Sequence, residues 1–403
     1  MCGRRPGRQV SGGQSWSGFT EALSRGSGST RTYDGESLAR KGAVVVTINY
    51  RLGIFGFLAH PELSAESAHR SSGNYGLHDQ IAALEWVRSN IAAFGGDPNR
   101  VTIFGESAGS WSVNYLMASP RARGLFHRVI GQSGGAFSVL PKLSEAEQSG
   151  VKAAAGLGAA SLKELRAKSV EELLKAPAGG RPNVDGWLLS EDVHTIFTGG
   201  KQNDVPLIAG FNADEATAFT PWPPGGTAAT YSEQMRRRYP RNSEDWLKHY
   251  PAGSDEEAKQ SFYGVFRDLT FGWHMRTWVR LAAKTGKSRA YYYYFTRVPP
   301  GPNSERLGAY HAAEIAYAFH NLYTSPRPWE AADHQLSDSM SSYWVNFAAT
   351  GDPNGRGLPK WPAYDASSDI ALELGTTIAP RANLHKAALD FLDGHFHSLR
   401  HPQ

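Results

Sequence analysis

Cysteine is almost absent from this sequence, because Cys2 is the only one among 403 residues. A single cysteine excludes intramolecular disulfides and leaves no candidate for a zinc–thiolate site or a cysteine nucleophile. No apolar run approaches the roughly 18 residues that a membrane-spanning helix needs. The basic residues at the start of the chain are followed by glycine, glutamine and serine, so no signal peptide is visible. We therefore expect no membrane association and a cytoplasmic location.

The sequence also has little excess of either charge. Its 42 lysines and arginines nearly balance its 38 aspartates and glutamates, and the formal net charge is +4. The basic residues are scattered along the chain and are not interleaved with aromatic residues, as they are on nucleic-acid-binding surfaces. We therefore expect a small-molecule partner and no nucleic acid. The sequence indicates neither a cofactor nor an oligomeric state.

Histidines are concentrated at the C-terminal end, where His395, His397 and His401 lie close together in the sequence. Metal sites built on histidine need further ligands in a fixed geometry, and no carboxylate pattern accompanies these three. An exposed tail explains them better than a metal site does. No metal site is predicted.

The most informative motif is Gly105–Gly109, which reads Gly-Glu-Ser-Ala-Gly and follows the β-branched and aromatic run Val101–Phe104. In Gly-x-Ser-x-Gly the serine sits on a sharp turn between a strand and a helix, and the flanking glycines remove Cβ clashes. A serine hydroxyl becomes a useful nucleophile only when it is held in this way beside a base. Ser107 is therefore the candidate nucleophile of a serine hydrolase.

A second segment, Gly131–Gly135, matches the same motif around Ser133 and comes after another strand-like run. Chance alone supplies roughly 0.4 matches in a chain with this glycine content. The two segments differ on their C-terminal sides, because a nucleophile needs a helix whose first N–H groups face the reacting oxygen. A proline-free, partly apolar stretch comes after Ser107, whereas Gly134–Pro141 is a poor helix former. This comparison favours Ser107 and places Ser133 near the site without a reacting role.

Alternating strand and helix patterns predict an α/β fold with a doubly wound, mostly parallel sheet. Ala43–Tyr50 is a continuous apolar run typical of a strand buried on both faces, and a helical repeat ending at Ile91 comes after it. Val205–Phe211 and Arg289–Phe295 supply later strands.

Residues 1–35 are rich in glycine, serine and arginine without periodicity, and are expected to form an irregular N-terminal segment. Residues 36–403 are expected to form a single catalytic domain. Its polar helical stretches, at about 136–200 and 218–288, are expected to be insertions that cover the carboxyl ends of the strands.

The base and the acid of a serine hydrolase on this fold come after the serine in the order acid, then histidine. His311 lies after the tyrosine-rich strand, where a loop can bring an imidazole over the edge of the sheet. For the acid, Asp214 and Glu215 come after the strand that ends near Phe211. Neighbouring residues point in different directions, so only one of them can hold the histidine, and periodicity does not choose between them.

From about residue 33 onward the chain resembles the type-B carboxylesterase family, the group that contains para-nitrobenzyl esterases and cholinesterases. The matching stretches occur in the family's order and include Tyr33–Gly35, Asn49–Phe57, Gly73–Gln80, Phe94–Pro98, the Ser107 motif, Phe211–Glu215, Gly308–Glu314, Tyr343–Phe347, Gly351–Pro353 and Trp361–Pro362.

The resemblance implies an α/β-hydrolase fold, a carboxylesterase activity and a catalytic triad of Ser107, Glu215 and His311. It also implies that Ser133 and Glu106 support the triad without reacting. Ala216 replaces the glycine that usually follows the catalytic glutamate. Arg51 and Asp79, which belong to the matching stretches, are expected to form a structural ion pair.

The oxyanion hole is where this sequence departs most from the family. The family's His-Gly-Gly-Gly-Phe loop and its first strands are not recognisable before Tyr33, so we expect an N-terminally shortened member. The N–H of Ala108 is one expected oxyanion donor, and Gly18, within the glycine-rich residues 12–28, is the candidate for another.

These observations predict hydrolysis of short-chain or aryl esters through an acyl-enzyme intermediate. The alternative is a catalytically impaired or non-catalytic cholinesterase-like binding protein. The missing loop favours this alternative, whereas the presence of all three triad residues argues against it.

Overall fold

Strands from the whole length of the chain assemble into one sheet. The structure, a computed structural model, describes residues 8–13, 26–176 and 180–401. Its strands are β1 Arg8–Gly13, β2 Ala43–Thr47, β3 Val101–Glu106, β4 Arg128–Gln132, β5 Leu207–Asn212, β6 Ala290–Phe295, β7 Ile370–Leu374 and β8 Ile378–Ala382. Their order across the sheet is β2-β1-β3-β4-β5-β6-β7-β8. All neighbouring strands are parallel except β7 and β8, which are antiparallel.

Helices connect nearly all of these strands, as parallel pairing requires. The α-helices of the described residues are α1 Glu36–Arg40, α2 Gly53–Phe57, α3 Pro61–Glu66, α4 Tyr75–Asn90, α5 Ala108–Ala118, α6 Leu143–Gly156, α7 Leu162–Arg166, α8 Val170–Leu173, α9 Val193–Thr198, α10 Ala228–Arg238, α11 Ser243–His249, α12 Asp255–Arg267, α13 Trp273–Thr285, α14 Ser304–Leu307, α15 Ile315–Ala318, α16 Ala331–Thr350 and α17 Lys386–Arg400.

Short helices of other types complete the connections. The 3₁₀-helices are Arg31–Tyr33, Ile91–Phe94, Pro120–Ala122, Glu215–Ala218 and Leu322–Thr324. A π-helical turn, Asp268–Gly272, joins α12 to α13 without a break.

The central strands are apolar on both faces because helices cover both sides of the sheet. Every residue of β3, β5 and β6 is buried. Successive residues enter different cores: Ile103 packs in a cluster with α5 and α13, whereas Phe104 packs in a cluster with α16. This two-sided burial explains the continuous apolar runs in the sequence. The predicted α/β class and the mostly parallel, doubly wound sheet are confirmed.

The N-terminal segment is less irregular than the sequence predicts. Residues 1–35 were expected to lack regular structure, but β1 lies inside the sheet, where Val10 pairs with Val45 on one side and Thr102 on the other. The local sequence of β1 is a weak strand former. Backbone pairing with two neighbouring strands therefore stabilises a strand conformation that its own residues favour only weakly.

The expectation that Ala43–Tyr50 is buried on both faces was also wrong. Among the strands of the described residues, β2 is at an edge of the sheet, and within it only Ala43 is buried. An edge strand has a neighbour on one side only, so a β-branched run there need not be enclosed.

Helical segments lie where insertions were expected. Helices α6 to α9 separate β4 from β5, and α10 to α13 separate β5 from β6. The description of residues 36–403 as a single catalytic domain with these insertions stays a prediction. Within the described ranges, no helix is both long enough and apolar enough to cross a membrane.

Candidate active site

Ser107 occupies a strained turn between β3 and α5. Its backbone has φ 55° and ψ −117°, a conformation that costs energy in a residue with a Cβ. The turn is tight enough that a Cβ on Gly105 would lie 2.3 Å from the carbonyl carbon of Gly109. Helix α5 starts at once, and the Trp111 N–H donates to the Ser107 carbonyl oxygen at 2.9 Å. The predicted strand, turn and helix around the candidate nucleophile are therefore all present.

His311 and Glu215 are brought into direct contact. The Nδ1 atom of His311 lies 2.6 Å from Oε2 of Glu215, although the two residues belong to segments that come after different strands. The other carboxylate oxygen of Glu215 accepts the backbone N–H of Asn212 at 2.8 Å. Glu215 is fully buried, so this carboxylate is held in one orientation. The arrangement fixes the imidazole with Nε2 pointing away from Glu215.

The Nε2 atom of His311 faces the segment that carries Ser107. It lies 3.1 Å from Oε1 of Glu106, the residue that immediately precedes the serine. Two phenylalanine rings, Phe219 and Phe271, enclose the imidazole, each with its centroid 4.8 Å away. The imidazole is therefore held between two carboxylates and two aromatic faces.

The electrostatic surroundings of His311 favour its charged form. Burial alone lowers the pKa of an imidazole, because a charge is poorly solvated in the interior. The carboxylates of Glu106 and Glu215 outweigh that effect and raise the pKa of His311 to about 9. This site therefore strongly stabilises the imidazolium.

Asp214 has a structural contact in place of a contact with the histidine. Its Oδ2 accepts the backbone N–H of Ala309 at 2.8 Å, and the two segments also form a short parallel bridge between Asp214 and Tyr310. Asp214 thus joins the end of β5 to the loop that carries His311. Of the two acids that the sequence left open, Glu215 contacts the imidazole.

A third buried carboxylate, Glu314, lies beside the pair and was given no role from the sequence. Its two oxygens accept hydrogen bonds from the side-chain amides of Gln132, at 3.0 Å, and Asn212, at 2.6 Å. The indole N–H of Trp344 donates to Gln132 Oε1 at 3.0 Å and so fixes which way that amide faces. Burial and the charge of Glu215 raise the pKa of Glu314. Its place three residues after His311 was the only signal in the sequence.

Ser133 ends β4 in a turn that resembles that of Ser107, with φ 51°. Its N–H donates to the Gly210 carbonyl oxygen at 2.8 Å, and its side chain is buried. No helix starts behind it, because α6 begins only at Leu143. The predicted difference between the two serine motifs is present in the fold.

The other predicted residues have mixed outcomes. Ala108 is the first residue of α5, so its N–H has no acceptor within the helix. Gly18 lies outside the described residues. The expected ion pair between Arg51 and Asp79 is present, with Nη2 and Oδ1 2.7 Å apart.

The C-terminal histidines are divided between two environments. The rings of His397 and His401 lie 4.6 Å apart, whereas His395 packs against Trp246. Across the parts of the chain that the structure describes, no group of three or more histidine, cysteine or acidic side chains is placed to hold a metal ion.

A strained serine between a strand and a helix, on a mostly parallel sheet with an acid and a histidine on later loops, defines an α/β hydrolase. The carboxylesterase family model matches residues 19–392, and the chain therefore belongs to the carboxylesterase family.

Relatives named as esterases come from bacteria and mammals. The chain is 38% identical over 371 residues to the fumonisin B1 esterase of Sphingopyxis macrogoltabida, a match that covers 86% of this chain and 67% of the relative. It is 34% identical to the para-nitrobenzyl esterase of Bacillus subtilis, covering 88% and 73%. It is also 34% identical to carboxylesterase 5A of Felis catus, covering 90% and 71%. The protein is thus a carboxylic ester hydrolase that acts on small-molecule esters.

Proposed function

We propose that the protein hydrolyses esters through an acyl-enzyme intermediate formed on Ser107, with His311 as the base and Glu215 as the acid that orients it. The observation that carries this proposal is the 2.6 Å contact between His311 Nδ1 and Glu215, with Nε2 facing the residue next to the strained serine. In this orientation Nε2 is the nitrogen that exchanges a proton with Ser107, and the carboxylate stabilises the imidazolium that forms.

In the first half of the reaction, His311 Nε2 takes the proton from the Ser107 hydroxyl as Oγ bonds to the ester carbonyl carbon. The tetrahedral intermediate then collapses, the bond to the alcohol oxygen breaks, and the imidazolium gives its proton to the departing alkoxide. The products are a free alcohol and an acyl group on Ser107. Glu215 stays ionised throughout.

In the second half, His311 takes a proton from water as the water oxygen attacks the acyl carbon. Collapse of this intermediate breaks the bond to Ser107 Oγ, which recovers its proton from the imidazolium. A carboxylic acid leaves and the enzyme is restored. Both steps place negative charge on the former carbonyl oxygen, for which we propose the N–H groups of Ala108 and Gly18 as donors. Loss of one such donor typically lowers kcat about 10²- to 10³-fold.

The nucleophile is tested by labelling with a fluorophosphonate probe, which reacts only with an activated serine. We expect one label, on Ser107, and hydrolysis of short-chain 4-nitrophenyl esters by the same preparation. Ser107→Ala should lose both. Ser133→Ala is the matched control, because this serine ends the neighbouring strand in a similar turn, and it should retain appreciable activity and the label.

Two results would contradict the proposal. Esterase activity that survives in Ser107→Ala would exclude this serine as the nucleophile. A folded protein that neither takes up the probe nor cleaves any ester would favour the alternative of a non-catalytic, cholinesterase-like binding protein.

A further inference from the structure

A large cavity lies close to the segments that carry Ser107 and His311. Its volume is about 1110 Å³, above the roughly 300–1,000 Å³ of most small-molecule pockets. Its wall includes Trp111 and Tyr115 from α5, the helix that starts behind Ser107. A short acyl chain would leave most of this space empty, so its shape fits a longer group.

Two residues of the cavity wall are sequence neighbours of residues that contact Ser107 and His311. Gly135 is in the wall, and its neighbour Gly134 packs so closely on Ser107 that an added Cβ would lie 2.4 Å from the serine carbonyl oxygen. Thr270 is also in the wall, and its neighbour Phe271 stacks on the His311 ring. A group bound here would therefore extend from the reacting ester bond.

Apolar and aromatic side chains such as Phe57, Trp111 and Tyr115 form much of the wall, and the charged side chains that line it are exposed. His274, which also lines the cavity, is uncharged at neutral pH, because burial lowers its pKa to about 3. Three formally charged residues line the cavity: Glu145, Lys152 and Arg181. The Glu145 carboxylate is occupied at the start of α6, where it accepts the Lys142 N–H at 2.9 Å.

The two cations are exposed and available to a ligand. Neither Lys152 nor Arg181 forms an ion pair with another described residue. The charge of Arg181 acts electrostatically on the buried Tyr115, which is part of the cavity wall. A largely apolar wall beside two exposed cations, which have no ion-pair partner among the described residues, matches a molecule with an apolar body and an anionic end.

We propose that this cavity binds esters that carry a carboxylate at the far end of an apolar chain or ring, with the apolar part against Trp111 and Tyr115 and the carboxylate at Arg181 and Lys152. The inference deepens the proposed function and rests on it, because the ester bond must lie at Ser107. It extends the expected short-chain and aryl esters to longer, negatively charged ones.

The test compares two chromogenic esters of equal chain length, 4-nitrophenyl octanoate and the mono-4-nitrophenyl ester of octanedioic acid. The measured quantity is the ratio of kcat/KM for the charged ester to that for the neutral one. Arg181→Gln should lower this ratio about 5-fold, and the double variant with Lys152→Gln roughly 10-fold, mainly by slowing the charged ester. Raising NaCl to about 0.5 M should lower the ratio of the wild-type protein in the same direction.

Arg356→Gln is the matched control, because Arg356 is exposed in the loop after α16 and does not line the cavity. The proposal is overturned if Arg181→Gln changes both esters equally, or if Arg356→Gln lowers the ratio as much. Calorimetric binding of octanedioate and octanoate to Ser107→Ala gives a second readout that needs no turnover. Tighter binding of octanedioate that is lost in Ser107→Ala/Arg181→Gln supports the cavity even if the triad is wrong, and equal binding of both acids contradicts it.

Discussion

At the scale of single residues, the position of His311 between two carboxylates has a consequence for the pH dependence of activity. Only the neutral imidazole can accept the Ser107 proton, and the pKa of His311 is raised to about 9. We therefore expect protonation of His311 to limit activity at neutral pH. We expect kcat/KM to rise as the pH increases and to level off above about 9, as measured with a neutral ester.

Glu106 is expected to contribute strongly to this shift, since its Oε1 lies 3.1 Å from His311 Nε2. In Glu106→Gln one negative charge is removed, the imidazolium is less stabilised, and the midpoint of the pH–rate profile should move to lower pH. Glu85→Gln, an exposed position on α4, is the control and should leave the midpoint unchanged. An unchanged midpoint in Glu106→Gln would show that the charge of Glu106 does not act on the base.

The residues of the site differ in how far the sequence reveals them. Ser107 lies in a motif whose glycines and adjoining helix are local, so the sequence identifies it directly. Glu215 was separated from Asp214 only by resemblance, because the two are adjacent and the deciding contact is with a distant loop. The Glu314 network had no detectable pattern, since Gln132 and Trp344 meet it only in the folded chain.

At the scale of elements, the π-helical turn Asp268–Gly272 places Phe271 against His311. The first residue of this turn, Asp268, is a buried acid. Asp268 is fully buried and lies 2.7 Å from Nε of Arg267, and it also accepts the Tyr250 hydroxyl. Asp268→Ala leaves the mostly buried guanidinium uncompensated. We expect it to lower the free energy of unfolding by about 3–5 kcal/mol.

Urea denaturation of Asp268→Ala measures this loss. Glu256→Ala is the matched control, because it removes an exposed carboxylate from the same helix, α12. It should cost no more than about 0.5 kcal/mol. A loss for Asp268→Ala as small as that of the control would mean that the pair does not hold this turn in place.

Helix α16 contacts the hydrogen-bond network of Glu314 through the indole of Trp344. Trp344→Phe keeps an aromatic ring in the core but removes the N–H that fixes the Gln132 amide, which in turn holds Glu314. We expect kcat to fall several-fold with little change in KM, and stability to fall by about 1 kcal/mol. Trp329→Phe, whose N–H donates to a backbone carbonyl away from the site, should lower stability similarly while leaving kcat unchanged. Equal kcat values for the two variants would contradict this role.

At the scale of the whole molecule, the sheet shows which strands can be predicted from a single sequence. The strands β2, β3, β5 and β6 were recognisable because each is a run of apolar or aromatic residues. Strand β1 and the final hairpin of β7 and β8 were not predicted. β1 is short and glycine-rich, and β8 is mostly exposed and contains Pro380, so both depend on their neighbours more than on local preference.

Strand β1 should nevertheless be essential to stability, since it pairs with strands on both sides. Val10→Pro removes a backbone donor in the interior of the sheet, and we expect the free energy of unfolding to fall by about 3 kcal/mol or more. Val10→Ala is the control and should cost less. The two are compared by urea unfolding, and equal losses would mean that backbone pairing of β1 contributes little.

The position of β1 also affects the order in which the protein can be built. The ribosome releases this strand before its partners β2 and β3, and β3 precedes Ser107. Until both have left the exit tunnel, an unpaired β1 is open to wrong pairing and to chaperones. We therefore expect correct folding during synthesis to require that β1 stays free of other partners until β2 and β3 become available.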